Sequence, residues 1–83
     1  MMDDAAAIEK CLKGDRDAFR FLVERYQKQA VAHAVAVLGN REDAQDAAQD
    51  AFVDAFRSLE KFDRTRKFYP WFYVLLHHRC YKM

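Results

Sequence analysis

The 83-residue sequence predicts an all-α fold, a compact bundle of about four helices in one domain. Three observations lead to this prediction. Apolar residues recur at three- and four-residue steps through most of the chain, which is the period of amphipathic helices. No segment alternates apolar and polar residues as a half-buried strand would. The two glycines and the one proline lie between the periodic segments, where helices begin or end.

The first two helices are predicted on either side of Gly14. The first spans residues 3–13, and Asp15 is expected to cap the second, which begins at Arg16. The residues predicted to face inward are Ile8, Cys11 and Leu12 on the first helix, and Phe19, Leu22, Tyr26, Ala30, Ala34 and Leu38 on the second. Both cysteines, Cys11 and Cys80, are expected to be buried free thiols, because two distant cysteines make no disulfide framework.

The third and fourth helices are predicted after Gly39. Asn40 with Asp43 three residues later has the pattern of a capping box, and the third helix is expected to run to about Lys61. Residues 62–69 form a loop, and Pro70 suits the first turn of the last helix. The predicted inward side of the third helix is Ala44, Ala47, Ala48, Ala51, Phe52, Ala55, Phe56 and Leu59, and that of the fourth is Phe72, Leu76, Cys80 and Met83.

Charge is distributed unevenly along the chain. Residues 1–60 have eight Lys and Arg against twelve Asp and Glu, whereas residues 61–83 have six Lys and Arg against Asp63 alone. Four aspartates of the third helix lie within about 80° of one another on a helical projection. These are Asp43, Asp46, Asp50 and Asp54, with Gln49 at the margin. This face is either simply solvated or a docking surface for a basic partner.

The loop and the start of the last helix interleave cations with rings, in the stretch FDRTRKFYPWFY. Single-stranded nucleic acid requires this combination, with cations for phosphates and flat side chains for unstacked bases. The alternative is that several rings belong to the core, and both interpretations are expected to hold in part. Trp71, Val74, His77, His78 and Tyr81 are predicted opposite the inward side of this helix, and Arg79 is expected to snorkel at the helix end.

Other function classes have little support in the sequence. His77 and Cys80 supply two metal ligands where zinc needs three or four, and His33 has no partner at ligand spacing, so we expect no metal and no cofactor. There is no nucleophile–base pair or glycine-rich phosphate loop, so we expect no enzymatic activity. No apolar run is long enough for a membrane span, and the acidic start is unlike a signal peptide, so the cytoplasm is the expected location.

The stretches KGDRDAFRFLVERY, EDAQDAAQDAFVDAFRSLEKF and F.PWFY.LLHHRC follow one another in this order along the chain. Together they resemble domain 2 (regions 2.1–2.4) of sigma-70 family RNA polymerase sigma factors, specifically the extracytoplasmic-function group. The opening is similar to the family pattern GD..AF..L..RY, in KGDRDAFRFLVERY. The core-binding helix is matched by EDAQDAAQDAFVDAFRSLEKF, and the family segment F..WLY.I.RN by F.PWFY.LLHHRC. The resemblance implies N-terminal helices over residues 1–38, a polymerase-docking helix over 40–61, and a promoter −10 loop and helix over 62–83.

The resemblance implies two contacts. The acidic helix would dock on the clamp coiled coil of the largest subunit of core RNA polymerase. The loop and last helix would capture the promoter −10 element and hold a flipped base of its non-template single strand. The implied polymerase-binding residues are Asp46, Gln49 and Asp50, extended by Asp43 and Asp54. The DNA-binding residues are Phe62, Trp71 and Tyr73 by family position, His77, His78 and Val74 on the helix, and Arg64, Arg66 and Lys67 by their charge.

The chain also departs from the family pattern. His77–His78 replaces the usual Arg-Asn, Val74 replaces a frequent arginine and Asp50 stands for a glutamate, so the family's base preference is not carried over. The chain ends without a −35-binding domain, and we expect a fragment or isolated domain. The family also implies an anti-sigma factor as a partner. The alternative function is an interaction module of the same fold that binds a regulator without recognising DNA.

Overall fold

The computed structural model describes residues 2–82, and it contains the four predicted helices. They are α1 (Asp4–Leu12), α2 (Phe19–Leu38), α3 (Arg41–Arg57) and α4 (Phe68–Lys82), with single 3-10 turns at Arg16–Ala18 and Leu59–Lys61. The prediction of an all-α bundle of about four helices is confirmed. The inward position predicted for Met83 lies outside the described residues.

Polar caps and one left-handed glycine set three of the helix ends. The Asp3 carboxylate accepts a hydrogen bond from the backbone N–H of Ala6 at the start of α1. Gly39 has φ +76°, a conformation that glycine adopts without strain, and ends α2. Asn40 then caps α3 by accepting from the backbone N–H of Asp43, at 3.0 Å. The capping predicted for Asp15 is wrong, because its side chain makes no cap hydrogen bond and a 3-10 turn leads into α2.

Two boundaries near the loop differ from the prediction. The third helix ends at Arg57 and not at about Lys61, and α4 starts at Phe68, so Pro70 is its third residue. Leu59 and Phe62 are both buried. To bring both side chains into the core, the chain leaves the α3 axis and makes the tight turn at Leu59–Lys61. Phe68 is also buried, so the chain already reaches the core two residues before Pro70, and α4 begins at this buried residue.

The core lies along the buried side of α3, which packs against both α2 and α4. Five alanines of α3 are fully buried and let the neighbouring helices approach closely: Ala44, Ala47, Ala48, Ala51 and Ala55. Phe52 of α3 stacks on Phe72 of α4, with ring centroids 4.3 Å apart. Leu12 was expected to face inward, but its side chain is 38% exposed because α1 ends there and the chain turns away at Gly14.

Both cysteines are free thiols, Cys80 buried and Cys11 half-buried. Burial raises the pKa of each thiol, and Asp15 adds to the effect at Cys11. Over the part of the chain that the structure describes, no helix is both long and apolar enough to cross a membrane.

Candidate functional site: an acidic face and an aromatic basic face

We call the five predicted polymerase contacts on α3 the docking face; they are Asp43, Asp46, Gln49, Asp50 and Asp54. Asp46, Gln49 and Asp50 are exposed, and neither Asp46 nor Asp50 takes part in a salt bridge within residues 2–82. Their carboxylates therefore keep their hydrogen-bonding capacity for another molecule. Asp43 is half-buried and accepts a 2.8 Å hydrogen bond from the Asn40 amide, so part of its capacity is used in the cap.

Asp54 differs from the rest of the docking face because it pairs with Arg79 of α4. The guanidinium donates two hydrogen bonds to the carboxylate, from Nε at 2.5 Å and from an Nη at 2.7 Å. The Arg79 hydrogen bond is the main reason that the pKa of Asp54 lies below its usual range. The snorkelling expected for Arg79 is therefore wrong. The two residues are 25 positions apart in sequence, and no local pattern pairs them.

An apolar groove lies beside the docking face, between α2 and α3. Its volume is roughly 850 Å³, and Gln49 and Arg57 stand on its wall together with apolar residues. The apolar residues are Phe19, Val23, Ala48, Phe52, Val53 and Phe56. Val53, which faces this groove, is 43% exposed. The docking face thus has an apolar neighbour, which was not predicted from the sequence.

We call the nine predicted DNA contacts the nucleic-acid face; they are Phe62, Arg64, Arg66, Lys67, Trp71, Tyr73, Val74, His77 and His78. Phe62 is only 5% exposed, and its ring packs on Trp71 with centroids 5.0 Å apart. Trp71 is half-buried and also contacts Phe68. The first two aromatics of this face therefore form a ring cluster that closes the core under the loop. In this arrangement Phe62 presents no free ring face for a base.

The three cations of the loop remain accessible. Arg64, Arg66 and Lys67 are all exposed. Arg66 makes a 3.5 Å contact with Asp63, and Arg64 lies 4.0 Å from Glu9 of α1. These are weak surface pairs that a phosphate could replace. The Asp63 carboxylate accepts two hydrogen bonds from Thr65, which shape the loop and lower the pKa of Asp63.

A second cavity, of roughly 760 Å³, opens between this loop, the first turns of α1 and the part of α2 that contains Arg25 and Tyr26. Arg25, Tyr26 and Tyr69 line it together with the loop cations, and none of these three residues was predicted from its position in the sequence to bind a partner. The Asp4 carboxylate accepts hydrogen bonds from Arg25 and from the Tyr26 hydroxyl. Burial, together with the bond to Asp4, raises the pKa of Tyr26 to about 12. The signal available in the sequence was the neighbouring Arg-Tyr pair at the edge of the α2 stripe.

The exposed part of α4 forms the rest of the nucleic-acid face. Val74 and His78 are exposed, Tyr73 is 36% exposed and His77 is half-buried. The Tyr73 hydroxyl and His77 Nε2 are 2.7 Å apart and share a hydrogen bond. His33 of α2 joins them, with its ring centroid 4.5 Å from that of Tyr73 and 4.8 Å from that of His77. His33 follows Tyr26 by two helical turns, so it lies at the edge of the inward stripe.

Within residues 2–82 no group of three or more His, Cys, Asp or Glu side chains is placed to hold a metal ion. The arrangement consists of an acidic face on α3 and an aromatic basic face on the loop and α4. It defines a class of protein: a small helical binding module with separate surfaces for a cationic and an anionic partner.

The comparisons with known proteins agree with this class. The Sigma-70 region 2 family model matches residues 22–83. The ECF RNA polymerase sigma-E factor of Haemophilus influenzae is 39% identical over 72 residues, which cover 87% of this chain and 38% of the relative. The sigma-E factor of Escherichia coli K12 is 40% identical over 76 residues, covering 87% and 37%. SigW of Bacillus subtilis is 39% identical over 66 residues, covering 80% and 35%.

A solved structure gives the same result. An engineered region 2 of sigmaE, determined by NMR in complex with GTAAAA, superposes with a TM-score of 0.90 at 33% identity, covering 98% of this chain and 84% of that one. The chain therefore belongs to the Sigma-70 region 2 family, as its motifs predicted. It spans a little over a third of the length of the curated relatives that it matches.

Proposed function

We propose that this chain is a transcription initiation module that docks on core RNA polymerase and binds and helps to melt the promoter −10 element. The observation that supports this most directly is the likeness to a sigmaE region 2 in complex with GTAAAA, at a TM-score of 0.90. The two charged faces add support, because they lie on adjacent helices and can be occupied together. The proposed module has no enzymatic activity and acts in the cytoplasm, where its polymerase partner is.

The docking face is proposed to bind the clamp coiled coil of the polymerase largest subunit. Asp46 and Asp50 meet cationic side chains of the clamp, and the Gln49 amide donates and accepts hydrogen bonds at the margin. The groove beside Gln49 would take an apolar side chain of the same partner, with Val53 as its exposed wall. Asp54 is paired with Arg79, which offsets its charge, so it contributes less to this contact than Asp46 and Asp50.

The nucleic-acid face is proposed to hold the non-template single strand of the −10 element. The loop cations Arg64, Arg66 and Lys67 contact phosphates, and the exposed side chains Tyr73, Val74, His77 and His78 contact bases and sugars. Phe62 and Trp71 support this face from beneath, because their rings are packed on each other and on Phe68. Melting is driven by binding energy, since capture of an extruded base offsets a few kcal/mol of unstacking. An anti-sigma factor is proposed as a further partner of the module.

The experiment that tests docking compares two charge reversals of equal size. The wild-type chain should bind an isolated clamp coiled coil, and the double variant Asp46→Arg, Asp50→Arg should not. Each reversal removes an attraction to clamp cations and adds a repulsion. The matched control, Asp17→Arg with Glu24→Arg, changes the net charge equally at two exposed positions outside α3 and should bind like wild type. Circular dichroism checks that all three chains are folded.

The outcomes separate the functions. If the wild type fails to bind, or if both double variants lose binding equally, the docking face has no specific role and the polymerase proposal is wrong. DNA recognition is tested independently, by fluorescence anisotropy with a single-stranded GTAAAA oligonucleotide at two salt concentrations. Clamp binding without any oligonucleotide binding would favour the alternative function, an interaction module that does not recognise DNA.

A further inference from the structure

Three rings from two helices form a cluster beside the exposed part of α4. His33 of α2 packs against Tyr73 and His77 of α4, which also pack against each other with centroids 4.5 Å apart. We call these three residues the imidazole cluster. It brings two titratable rings within 4.8 Å of each other on a face that is proposed to bind a polyanion. A proton gained by this cluster therefore changes the charge that the polyanion meets.

The hydrogen bonds of the cluster depend on its protonation. His77 Nε2 and the Tyr73 hydroxyl share one hydrogen bond of 2.7 Å, in which either group can be the donor. His33 Nε2 is buried and has no hydrogen-bond partner among the described residues. None of the salt bridges within residues 2–82 includes His33 or His77. No carboxylate pair therefore fixes the charge of the cluster.

The groups around the cluster come from three helices. On α2 the titratable neighbour of His77 is His33, and on α4 the neighbours are Tyr73 and Tyr81, whose ring lies 5.5 Å from His77. Tyr69 of α4 also faces the cluster, with its ring centroid 6.4 Å from that of Tyr73. The α3 carboxylates that act on α4, Asp50 and Asp54, are directed at Arg79 and His78. Burial, and then the charge of His77, lower the pKa of His33, so the two rings are not easily charged together. Of the two rings, His77 is the one that shares a hydrogen bond with the Tyr73 hydroxyl, so a proton on His77 acts directly on that bond.

Protonation of His77 reverses the shared hydrogen bond. A neutral His77 can accept the hydroxyl proton of Tyr73, which then has no proton to offer elsewhere. A protonated His77 has donors on both nitrogens, so Nε2 must donate to the Tyr73 oxygen. The hydroxyl proton of Tyr73 is then free to point outward and to donate to a phosphate oxygen. The same event adds one positive charge next to that hydroxyl.

We propose that His77 and Tyr73 form a proton-controlled contact to single-stranded DNA, and that His33 is the residue that positions them. This inference rests on the proposed binding of −10 DNA by the nucleic-acid face. The contact is made to a backbone phosphate and strengthens as the pH falls. His33 acts through the two rings on which it packs and does not itself bond to the strand.

The experiment measures the affinity for single-stranded GTAAAA by fluorescence anisotropy between about pH 8 and about pH 5.5, at constant ionic strength. The wild-type Kd should fall by roughly three- to tenfold over this range, because a neutral contact becomes a charge-assisted one. His77→Phe should show no such gain, because it keeps a ring without a proton to bind. Tyr73→Phe should lose most of the gain, because the stacked ring remains and only the hydroxyl is removed.

The positioning role of His33 is tested by a pair of variants. His33→Ala should raise the Kd at pH 8 and flatten the pH profile, because a cavity lets both rings turn. His33→Phe refills the space and should restore both. His78→Gln is the control for the other histidine of this face. Whatever its affinity at pH 8, it should keep the ratio between the two ends of the profile, and circular dichroism confirms that each chain is folded.

Three results would overturn the inference. A wild-type profile that is flat, in a chain that binds GTAAAA, overturns it and leaves the proposed DNA binding intact. If the pH dependence of the Kd is lost in His78→Gln but kept in His77→Phe, the proton binds to His78, and the inference is overturned as well. No binding at any pH overturns both this inference and the proposed DNA recognition, while clamp binding would still be measurable on its own.

Discussion

Asp54 and Arg79 connect the two faces of the molecule at the level of single residues. Their bidentate pair ties the last turn of α4 to the last turn of α3. The side chain of Asp54 is 24% exposed and that of Arg79 is 35% exposed, so protein covers one side of the pair and solvent reaches the other. As a result, the carboxylates of the docking face that remain without a salt bridge are those nearer the start of α3.

We expect Asp54→Asn to destabilise the fold at pH 7 because the Arg79 guanidinium loses its charged acceptor. Since the pKa of Asp54 is lowered in the folded state, its stabilising contribution is complete at neutral pH. That contribution disappears as the pH falls through the folded pKa, below about pH 4. Urea unfolding at pH 7 and near pH 2.5 should therefore show a difference in midpoint from wild type that is larger at the higher pH.

The matched control for this prediction is Asp46→Asn, which removes an exposed carboxylate without a salt bridge in the described part of the chain. Its unfolding midpoint should stay close to that of wild type at both values of pH. An equal loss of stability in the two variants would mean that the Asp54–Arg79 pair contributes nothing specific.

At the level of elements, α3 is the helix on which the fold and the proposed docking both depend. One side is a stripe of buried alanines, and the opposite side carries the docking face. Small side chains bring α2 and α4 close to the α3 backbone, so the helix cannot rotate without exposing Phe52 or burying a carboxylate. The orientation of the docking face is thus set by packing on the far side of the same helix.

We expect Ala51→Leu to lower the free energy of unfolding by about 1–3 kcal/mol. Ala51 is fully buried where α3 packs against its neighbouring helices. The three additional carbons of leucine therefore force either a strained rotamer or a shift of a helix. Urea unfolding monitored by circular dichroism measures the loss. Ala36→Leu, the same change at an exposed position of α2, should alter stability by less than about 0.5 kcal/mol. Equal stability of the two variants would contradict the close packing around α3.

At the level of the whole molecule, charge is divided by position. The loop and α4 hold the basic excess, while the acidic excess of residues 1–60 is concentrated on α3. Such a molecule orients itself between a cationic and an anionic partner before contact, which raises the rate of productive encounter. Because α3 and α4 pack directly against each other, the fold places the acidic and the basic surfaces on neighbouring helices.

The logarithm of the association constant for single-stranded DNA should fall linearly with the logarithm of salt concentration. Each phosphate contact contributes a slope of about −0.7 for a single strand. Lys67 is exposed and takes part in no salt bridge within residues 2–82, so Lys67→Gln should make the slope shallower by about 0.7. Lys28→Gln, an equal loss of charge at an exposed position on α2, should leave the slope unchanged. A slope unaffected by Lys67→Gln would remove this residue from the nucleic-acid face.

Much of the fold was predictable because it depends on local chemistry. The period of the apolar residues, the Asn40 cap and the left-handed Gly39 each act within a few residues of the chain. The exposure of Asp46, Gln49 and Asp50 followed from the same period, since a helix that buries its alanines must present the opposite side to solvent. The sequence by itself therefore determined the number of helices, the inward side of α3 and the identity of the acidic face.

Only the tertiary structure decided which side chains of the two faces are free to act. Packing buries the ring of Phe62 against Trp71 and pairs the Asp54 carboxylate with the Arg79 guanidinium. It also places the ring of His33 in contact with those of Tyr73 and His77. Each of these contacts joins residues from different elements, so no periodicity along a single helix can predict it. The physical reason is that a hydrogen bond or a ring contact depends on distance in space, and helix packing alone sets that distance.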